Sequence, residues 1–175
     1  MRVDAHQHFW RIADRVGQWP PPELAAIHRD FMPGDLEPLL REAGIDGTVL
    51  VQTMETEADT AFMLDLARSN PFILGVVGWT DLKSPDAAAA IERLARDPML
   101  RGFRPMLQDI ADDRWIDDPA LEPALSAMID TGLVFSASGF VSEIERSLRS
   151  LSISLRDSRS TALRLFFWLR SKFQK

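Results

Sequence analysis

The segment GTVLVQTMETEADTAFMLDLARSNPFILGVVGW, residues 47–79, decides the fold class of this chain. It opens with an apolar, β-branched run at residues 47–52, which predicts a buried strand. Residues 57–69 then place apolar side chains at helical spacing, and Asn70-Pro71 ends that helix. Residues 72–79 form a second apolar run. A strand, a helix and a strand in this order predict a right-handed βαβ unit and a parallel sheet.

The same alternation continues on both sides of this unit. Five strands are predicted about 30 residues apart, which is the length of one βαβ step. Helices are predicted over residues 35–43, 84–95 and 119–130, in addition to the one at 57–69. Residues 9–34, rich in proline and aromatic residues, predict a long structured loop. The three strands outside the central unit are predicted at residues 2–6, 101–106 and 133–135.

Three residues predict where helices begin and end. Asp35 is expected to cap the first helix, and Gly44 is expected to end it in the left-handed conformation that favours glycine. Pro85 is expected at the first position of the third helix, where its missing N–H is tolerated.

Composition limits the classes of protein to consider. The chain has 175 residues, a net charge of −6 and no cysteine, which excludes disulfides and thiolate metal sites. The negative charge gives no support for a nucleic-acid partner. No run approaches the roughly 18 apolar residues of a membrane span, so a cytoplasmic location without a membrane partner is expected. A closed eight-stranded barrel typically takes about 250 residues, more than this chain has.

The composition changes abruptly at Ser136, which divides the chain into residues 1–135 and a basic tail, 136–175. The tail holds 10 of the 13 serines and 8 of the 20 Lys and Arg residues, but 3 of the 26 acidic residues. Apolar residues at helical spacing over 141–156 predict one amphipathic helix there. We expect the tail to be unrelated or out-of-frame sequence. The alternative is a native basic helix that docks on the acidic body.

Two of the three histidines, His6 and His8, are two residues apart at the end of the first predicted strand. Residues i and i+2 of a strand share a face, and barrel enzymes place their sites at the carboxyl ends of strands. Two imidazoles there could bind one divalent metal or hold a substrate oxygen. The alternative is a pair of surface or half-buried histidines. Asp4 is either a supporting residue or a turn residue, and His28 is expected at the surface.

Three other side chains end predicted strands. Arg104 offers a rigid fork that suits a carboxylate or a lactone oxygen, with a surface salt bridge as the alternative. Gln52 either points into the site or caps its strand. Trp79 could stack on a sugar ring, although a tryptophan after a buried strand also suits the core.

The segment DAHQHFW, residues 4–10, resembles the opening of the amidohydrolase-type lactonases, a group with L-fuconolactonase-like, L-rhamnono-lactonase-like and pyrone-dicarboxylate lactonase-like enzymes. Three later segments resemble the following strands of that family in order and spacing. The resemblance covers about residues 2–135. It implies a partial TIM-type (β/α) barrel with about five of eight strands. The three segments are residues 49–52, 75–82 and 102–104.

The resemblance also implies a function. It implies a hydrolase that opens a sugar lactone or carboxylated lactone, with His6 and His8 as catalytic residues. The same two residues would be ligands of one zinc-like divalent metal, with a metal-independent site as the alternative. Gln52, Trp79 and Arg104 would bind the small lactone or carboxylate substrate.

The sequence departs from the family pattern after Phe135. Later strands of the family supply another histidine and an aspartate that is expected to activate water, and neither has a counterpart here. We therefore expect a truncated chain with little or no activity. The alternatives are a non-enzymatic fragment that binds a small molecule, and a decarboxylase of the same superfamily. The open barrel edge is expected to cause self-association.

Overall fold

The computed structural model describes residues 1–112 and 114–136, and its strands form one five-stranded sheet in chain order. The first strand pairs in parallel with the second, the second with the third, and the fourth with the fifth. This confirms the predicted α/β class and the partial TIM-type barrel with five strands. The predicted tail helix lies outside the described residues. The strands are β1 (Val3–Gln7), β2 (Gly47–Val51), β3 (Ile73–Gly78), β4 (Leu100–Phe103) and β5 (Val134–Phe135).

Within the described residues, four α-helices alternate with the strands, as the repeating pattern predicts. Short 3-10 turns lie between them, one of which, Ile12–Arg15, interrupts the predicted long loop. No helix in the described part of the chain combines the length and apolar character needed to cross a bilayer. The helices are α1 (Pro33–Ala43), α2 (Glu57–Ser69), α3 (Ala87–Leu94) and α4 (Glu122–Thr131).

The chain divides into two compact units, each with its own core. Among the described residues, the first unit comprises 1–79 and 97–101, and the second comprises 80–96 and 102–136 without residue 113. In the first unit, Leu50 and Val76 on adjacent strands are fully buried, together with Met63 of α2. In the second unit, α3 packs on α4, and the buried side chains are Ile91, Phe103, Ala124, Met128 and Phe135.

The helix ends follow local hydrogen bonding. The range predicted for α2 is confirmed, and Gly44 ends α1 at φ 63°, as predicted. Asp35 caps α1, as predicted, by accepting a hydrogen bond from the Met32 amide at 2.8 Å. That bond lowers the pKa of the Asp35 carboxyl. The predicted start at residue 35 was wrong, because the helix begins at Pro33 and Asp35 lies in its first turn. The predicted place of Pro85 was also wrong, since α3 begins at Ala87.

Close strand pairing in the second unit requires glycine at position 102. Gly102 pairs with Val134, and a Cβ atom added at Gly102 would lie 2.0 Å from the Val134 carbonyl oxygen. A contact this short with backbone cannot be relieved by a side-chain rotation. The pairing of β4 with β5 therefore depends on the missing side chain.

We expect Gly102→Ala to lower the free energy of unfolding by about 1–3 kcal/mol, the usual cost of overpacking. Chemical denaturation followed by circular dichroism would measure the loss. Gly34→Ala is the matched control, because a Cβ atom there would meet nothing within 4 Å. Equal stability of the two variants would contradict the required close approach.

Candidate functional site

The two predicted histidines lie together at the carboxyl end of β1. His6 belongs to the strand and His8 follows it by one residue after Gln7. Their ring centroids are 4.9 Å apart, with the ring planes at 88°. The expectation that the two imidazoles share a face is therefore confirmed. Asp4 accepts a hydrogen bond from the His6 amide at 3.1 Å, so its carboxylate contacts the main chain of His6.

The orientation of His8 is set by the end of the neighbouring strand. Its Nδ1 atom lies 2.8 Å from the carbonyl oxygen of Val51, the last residue of β2. A carbonyl only accepts, so Nδ1 carries a proton and donates, and in the neutral imidazole the lone pair is therefore on Nε2. Histidines that bind metals or accept protons are commonly oriented by such a bond to a backbone carbonyl.

Gln52 and Trp79 directly follow β2 and β3, which are parallel neighbours. Gln52 is fully buried, and its backbone N–H donates to the Val77 carbonyl at 2.9 Å. Trp79 is half-buried, and both of its backbone polar groups bond to the hydroxyl of Thr60 at 2.8 Å. The ends of both strands are thus held by specific hydrogen bonds.

Arg104 directly follows β4 and belongs to the second unit. Its side chain is buried, and Nη2 lies 2.9 Å from the sulfur of Met106. The alternative of a surface position, which the sequence left open, is therefore wrong. A buried guanidinium keeps its fixed fork of donors, which is the feature that suits a carboxylate or lactone oxygen.

A buried ion pair beside Gln52 was not anticipated from the sequence. Arg15 donates through Nη2 to Asp59 at 3.1 Å and through Nη1 to the Thr53 hydroxyl at 2.9 Å. The second oxygen of Asp59 accepts from the amides of Thr53 and Met54 at 3.1 and 3.2 Å. The pair therefore holds the backbone that immediately follows Gln52.

The electrostatics of this pair follow from its burial. The side chains of Arg15 and Asp59 are 4% and 7% exposed. Burial lowers the pKa of Arg15, and the negative charge of Asp59 opposes that shift. Thr56 and Asp59 have the spacing that is typical of a helix start, and this spacing predicts Asp59 in the first turn of α2. Nothing in the sequence links it to Arg15, 44 residues earlier.

The expectation that His28 lies at the surface was wrong. His28 is half-buried in the long loop, and its Nδ1 lies 2.8 Å from the Pro20 carbonyl oxygen. Trp10 packs in the same loop, with its ring 5.2 Å from that of Trp19 and 4.6 Å from that of Phe31.

Two of the described residues are candidate metal ligands. His6 and His8 offer two imidazole donors, the ligand type that zinc accepts. Across residues 1–112 and 114–136, no group of three or more His, Asp or Glu side chains is arranged to hold a metal ion. The two imidazoles thus fit the role of metal ligands without completing a site.

The amidohydrolase family profile matches residues 3–158 of the chain, a range that continues past residue 135. The L-fucono-1,5-lactonase of Burkholderia ambifaria is 60% identical over 136 residues. That alignment covers 78% of this chain and 47% of the relative. The chain therefore spans about half the length of this relative.

Two solved structures of an amidohydrolase from Burkholderia multivorans have the same fold. One, with bound HEPES, has a TM-score of 0.77 and 31% identity, and the match covers 87% of this chain and 53% of that one. The other, with bound zinc, has a TM-score of 0.72 and 34% identity, over 89% and 54% of the two chains.

We expect Asp59→Asn to lower the free energy of unfolding by about 3–5 kcal/mol, because it leaves the Arg15 guanidinium buried without its counter-charge. Urea denaturation would measure the change. Replacing both partners, as Arg15→Met with Asp59→Leu, should recover most of the loss.

Glu37→Gln is the matched control for this prediction. It breaks the exposed Glu37–Arg41 ion pair, and the expected loss in the free energy of unfolding is about 0–1 kcal/mol. If Asp59→Asn and Glu37→Gln reduce stability equally, the buried pair does not have the importance we assign to it.

Proposed function

Because the chain belongs to the amidohydrolase family, we propose that it carries part of a site that opens a sugar lactone by hydrolysis. The observation that carries this proposal is the histidine pair. Two imidazoles lie in edge contact at the carboxyl end of β1, and one is held by the Val51 carbonyl with its lone pair on Nε2. The 60% identical relative, an L-fucono-1,5-lactonase, supports a sugar lactone as the substrate class.

Lactone hydrolysis needs a water made nucleophilic and a carbonyl oxygen stabilised as it becomes an oxyanion. His8 is suited to accept a proton at Nε2 because Nδ1–H is already engaged with a backbone carbonyl. His6 is suited to orient the same water or the lactone carbonyl, since its ring contacts that of His8. Both residues are proposed as catalytic.

Substrate binding is assigned to the three polar or aromatic residues that end strands. The buried amide of Gln52 has donor and acceptor groups for lactone oxygens, and Trp79 has a ring that could stack on the sugar. Arg104 is proposed to bind a carboxylate or ring oxygen with its fork of donors. The hydrogen bonds that fix Gln52 and Trp79 at the backbone would limit the entropy lost on binding.

In a metal-dependent form of the site, His6 and His8 would instead hold a divalent metal such as zinc, which the 34% identical amidohydrolase structure contains. The Nε2 lone pair of His8 would then bind the metal, and His8 would not act as the proton acceptor. Such a metal would polarise the lactone carbonyl and lower the pKa of a bound water. Catalytic zinc sites usually have three protein ligands, one more than this pair supplies. A metal-independent site remains the alternative proposal.

Two other functions stay as alternatives. A non-enzymatic fragment that binds a small molecule would use the same histidines and Gln52 without turnover, and self-association through an open sheet edge would favour it. A decarboxylase of aromatic acids would release carbon dioxide from an acid and leave lactones intact.

We expect zinc to bind weakly, to be removed by a chelator, and to depend on the histidine pair. The affinity should be weak because two imidazoles are too few ligands for a tight zinc site. Isothermal titration should show that zinc binding is lost in the His6→Ala, His8→Ala double variant, because that variant has neither imidazole. His28→Ala is the control that removes one imidazole elsewhere and should retain binding. A stoichiometric, chelator-resistant metal in the double variant would refute this assignment.

We expect the 175-residue chain to turn over sugar lactones slowly, with a kcat below about 1 s⁻¹. The reason is that the described residues bring no third metal ligand to the histidine pair. A panel that includes L-fucono-1,5-lactone, assayed with and without added zinc on protein of confirmed mass, would measure this.

The His6→Ala, His8→Ala variant supplies the background rate in the same assay. Residual activity that disappears in the variant would support the lactonase proposal. Activity at the rate of an ordinary enzyme would overturn the expectation of slow turnover. Carbon dioxide release from an aromatic carboxylic acid, with no lactone opening, would favour the decarboxylase.

A further inference from the structure

The long loop between β1 and α1 forms a half-open cavity of about 610 Å³, which we call the loop cavity. All of its lining residues lie between positions 12 and 28. It therefore contains none of the side chains assigned above to lactone hydrolysis. Its volume falls within the range of about 300–1,000 Å³ that is usual for small-molecule sites.

Hydrogen bonds within the loop hold the cavity in shape. Trp10 and Phe31 form an antiparallel bridge with two bonds of 3.0 Å, which joins the two ends of the loop. The Ile12 amide donates to Asp30 at 2.8 Å. His28 bonds to the Pro20 carbonyl, and both residues line the cavity. A preformed cavity loses little entropy when it binds a ligand.

One wall of the loop cavity is flat and apolar. Trp19 lines it and is 40% exposed, with its ring packed edge-on against that of Trp10 at 5.2 Å. The three consecutive prolines at 20–22 continue the wall with rigid apolar rings. An aromatic face beside rigid apolar surface suits the apolar face of a small ring.

The polar side chains that line the loop cavity are acceptors, apart from Gln18, whose amide both donates and accepts, and the paired Arg15. The one cation in the lining, Arg15, is already paired with Asp59, so it offers no unbalanced charge for an anion. Glu23 has a carboxylate, which only accepts. His28 donates through Nδ1 to Pro20, so its Nε2 accepts. These acceptors, together with the Gln18 amide, lie beside an apolar wall and suit a neutral ligand whose hydroxyls both donate and accept.

We propose that the loop cavity binds a neutral hydroxylated ring of monosaccharide size, with its apolar face on Trp19 and hydroxyls donating to Glu23 and His28. This inference does not rest on the proposed lactone hydrolysis, because the two sites share no residue. An organic cation would use the same aromatic wall and the Glu23 carboxylate. The experiment below separates it from a neutral ring.

The test follows the indole N–H signals of the ¹⁵N-labelled full chain during titration, with Trp19 assigned from a Trp19→Phe spectrum. D-galactose and L-fucose are the neutral probes, tetramethylammonium chloride is the cation probe and citrate is the anion probe. We expect a saturable shift of the Trp19 signal with a neutral sugar, and none with citrate.

Two variants and two controls locate the binding. Trp19→Ala should weaken it about tenfold or more, which is about 1.4 kcal/mol. Glu23→Gln, at an exposed carboxylate, should weaken it severalfold while the melting temperature stays unchanged. Leu24→Ala changes a nearby exposed side chain outside the lining, and should leave affinity within about twofold. The His6→Ala, His8→Ala variant should also bind as the parent does.

Three results would overturn the proposal. The first is the absence of a saturable shift with either sugar. The second is sugar binding that is lost in the His6→Ala, His8→Ala variant and kept in Glu23→Gln, which would assign the sugar to the histidine site. The third is a saturable response to tetramethylammonium alone, abolished by Glu23→Gln, which would make the loop cavity a site for organic cations.

Discussion

The buried ion pair between Arg15 and Asp59 is the constraint on which the arrangement of the first unit depends. Removing two charges from water costs several kcal/mol each, so the pair is tolerable only if the remaining hydrogen-bonding groups are also satisfied. The amides of Thr53 and Met54 and the Thr53 hydroxyl provide most of those bonds. The pair thereby fastens the long loop to the segment between β2 and α2.

That fastening has consequences in two directions. Toward the sheet, the ion pair holds the backbone that follows Gln52. The backbone N–H of Gln52 is itself bonded to the Val77 carbonyl of β3. Toward the loop, the ion pair places Arg15 in the lining of the loop cavity with its charge neutralised. The proposed hydrolytic site and the loop cavity, proposed to bind a neutral ligand, can therefore be neighbours in sequence without sharing a charge.

Side-chain bonds to the main chain recur wherever a strand ends in the first unit. His8 bonds to the last carbonyl of β2, and Thr60 bonds to both backbone groups of Trp79 after β3. Such bonds hold functional side chains on rigid elements, which preorganises a site better than a free loop does. Gly78 permits the approach of Thr60, because a Cβ atom there would lie 2.6 Å from the Thr60 methyl.

The sequence by itself determined the parallel α/β architecture, the extent of α2, the end of α1 at Gly44 and the pairing of His6 with His8. Each of these follows from a periodicity or a spacing of a few residues, because the geometry of a helix or strand directly determines which nearby side chains share a face. Tertiary structure alone decided the partner of Arg15, the burial of Arg104 and the bond of His28 to Pro20. Those depend on which groups are excluded from water when distant segments meet, and a buried polar group takes whichever partner lies within reach. A local pattern carries no information about that choice.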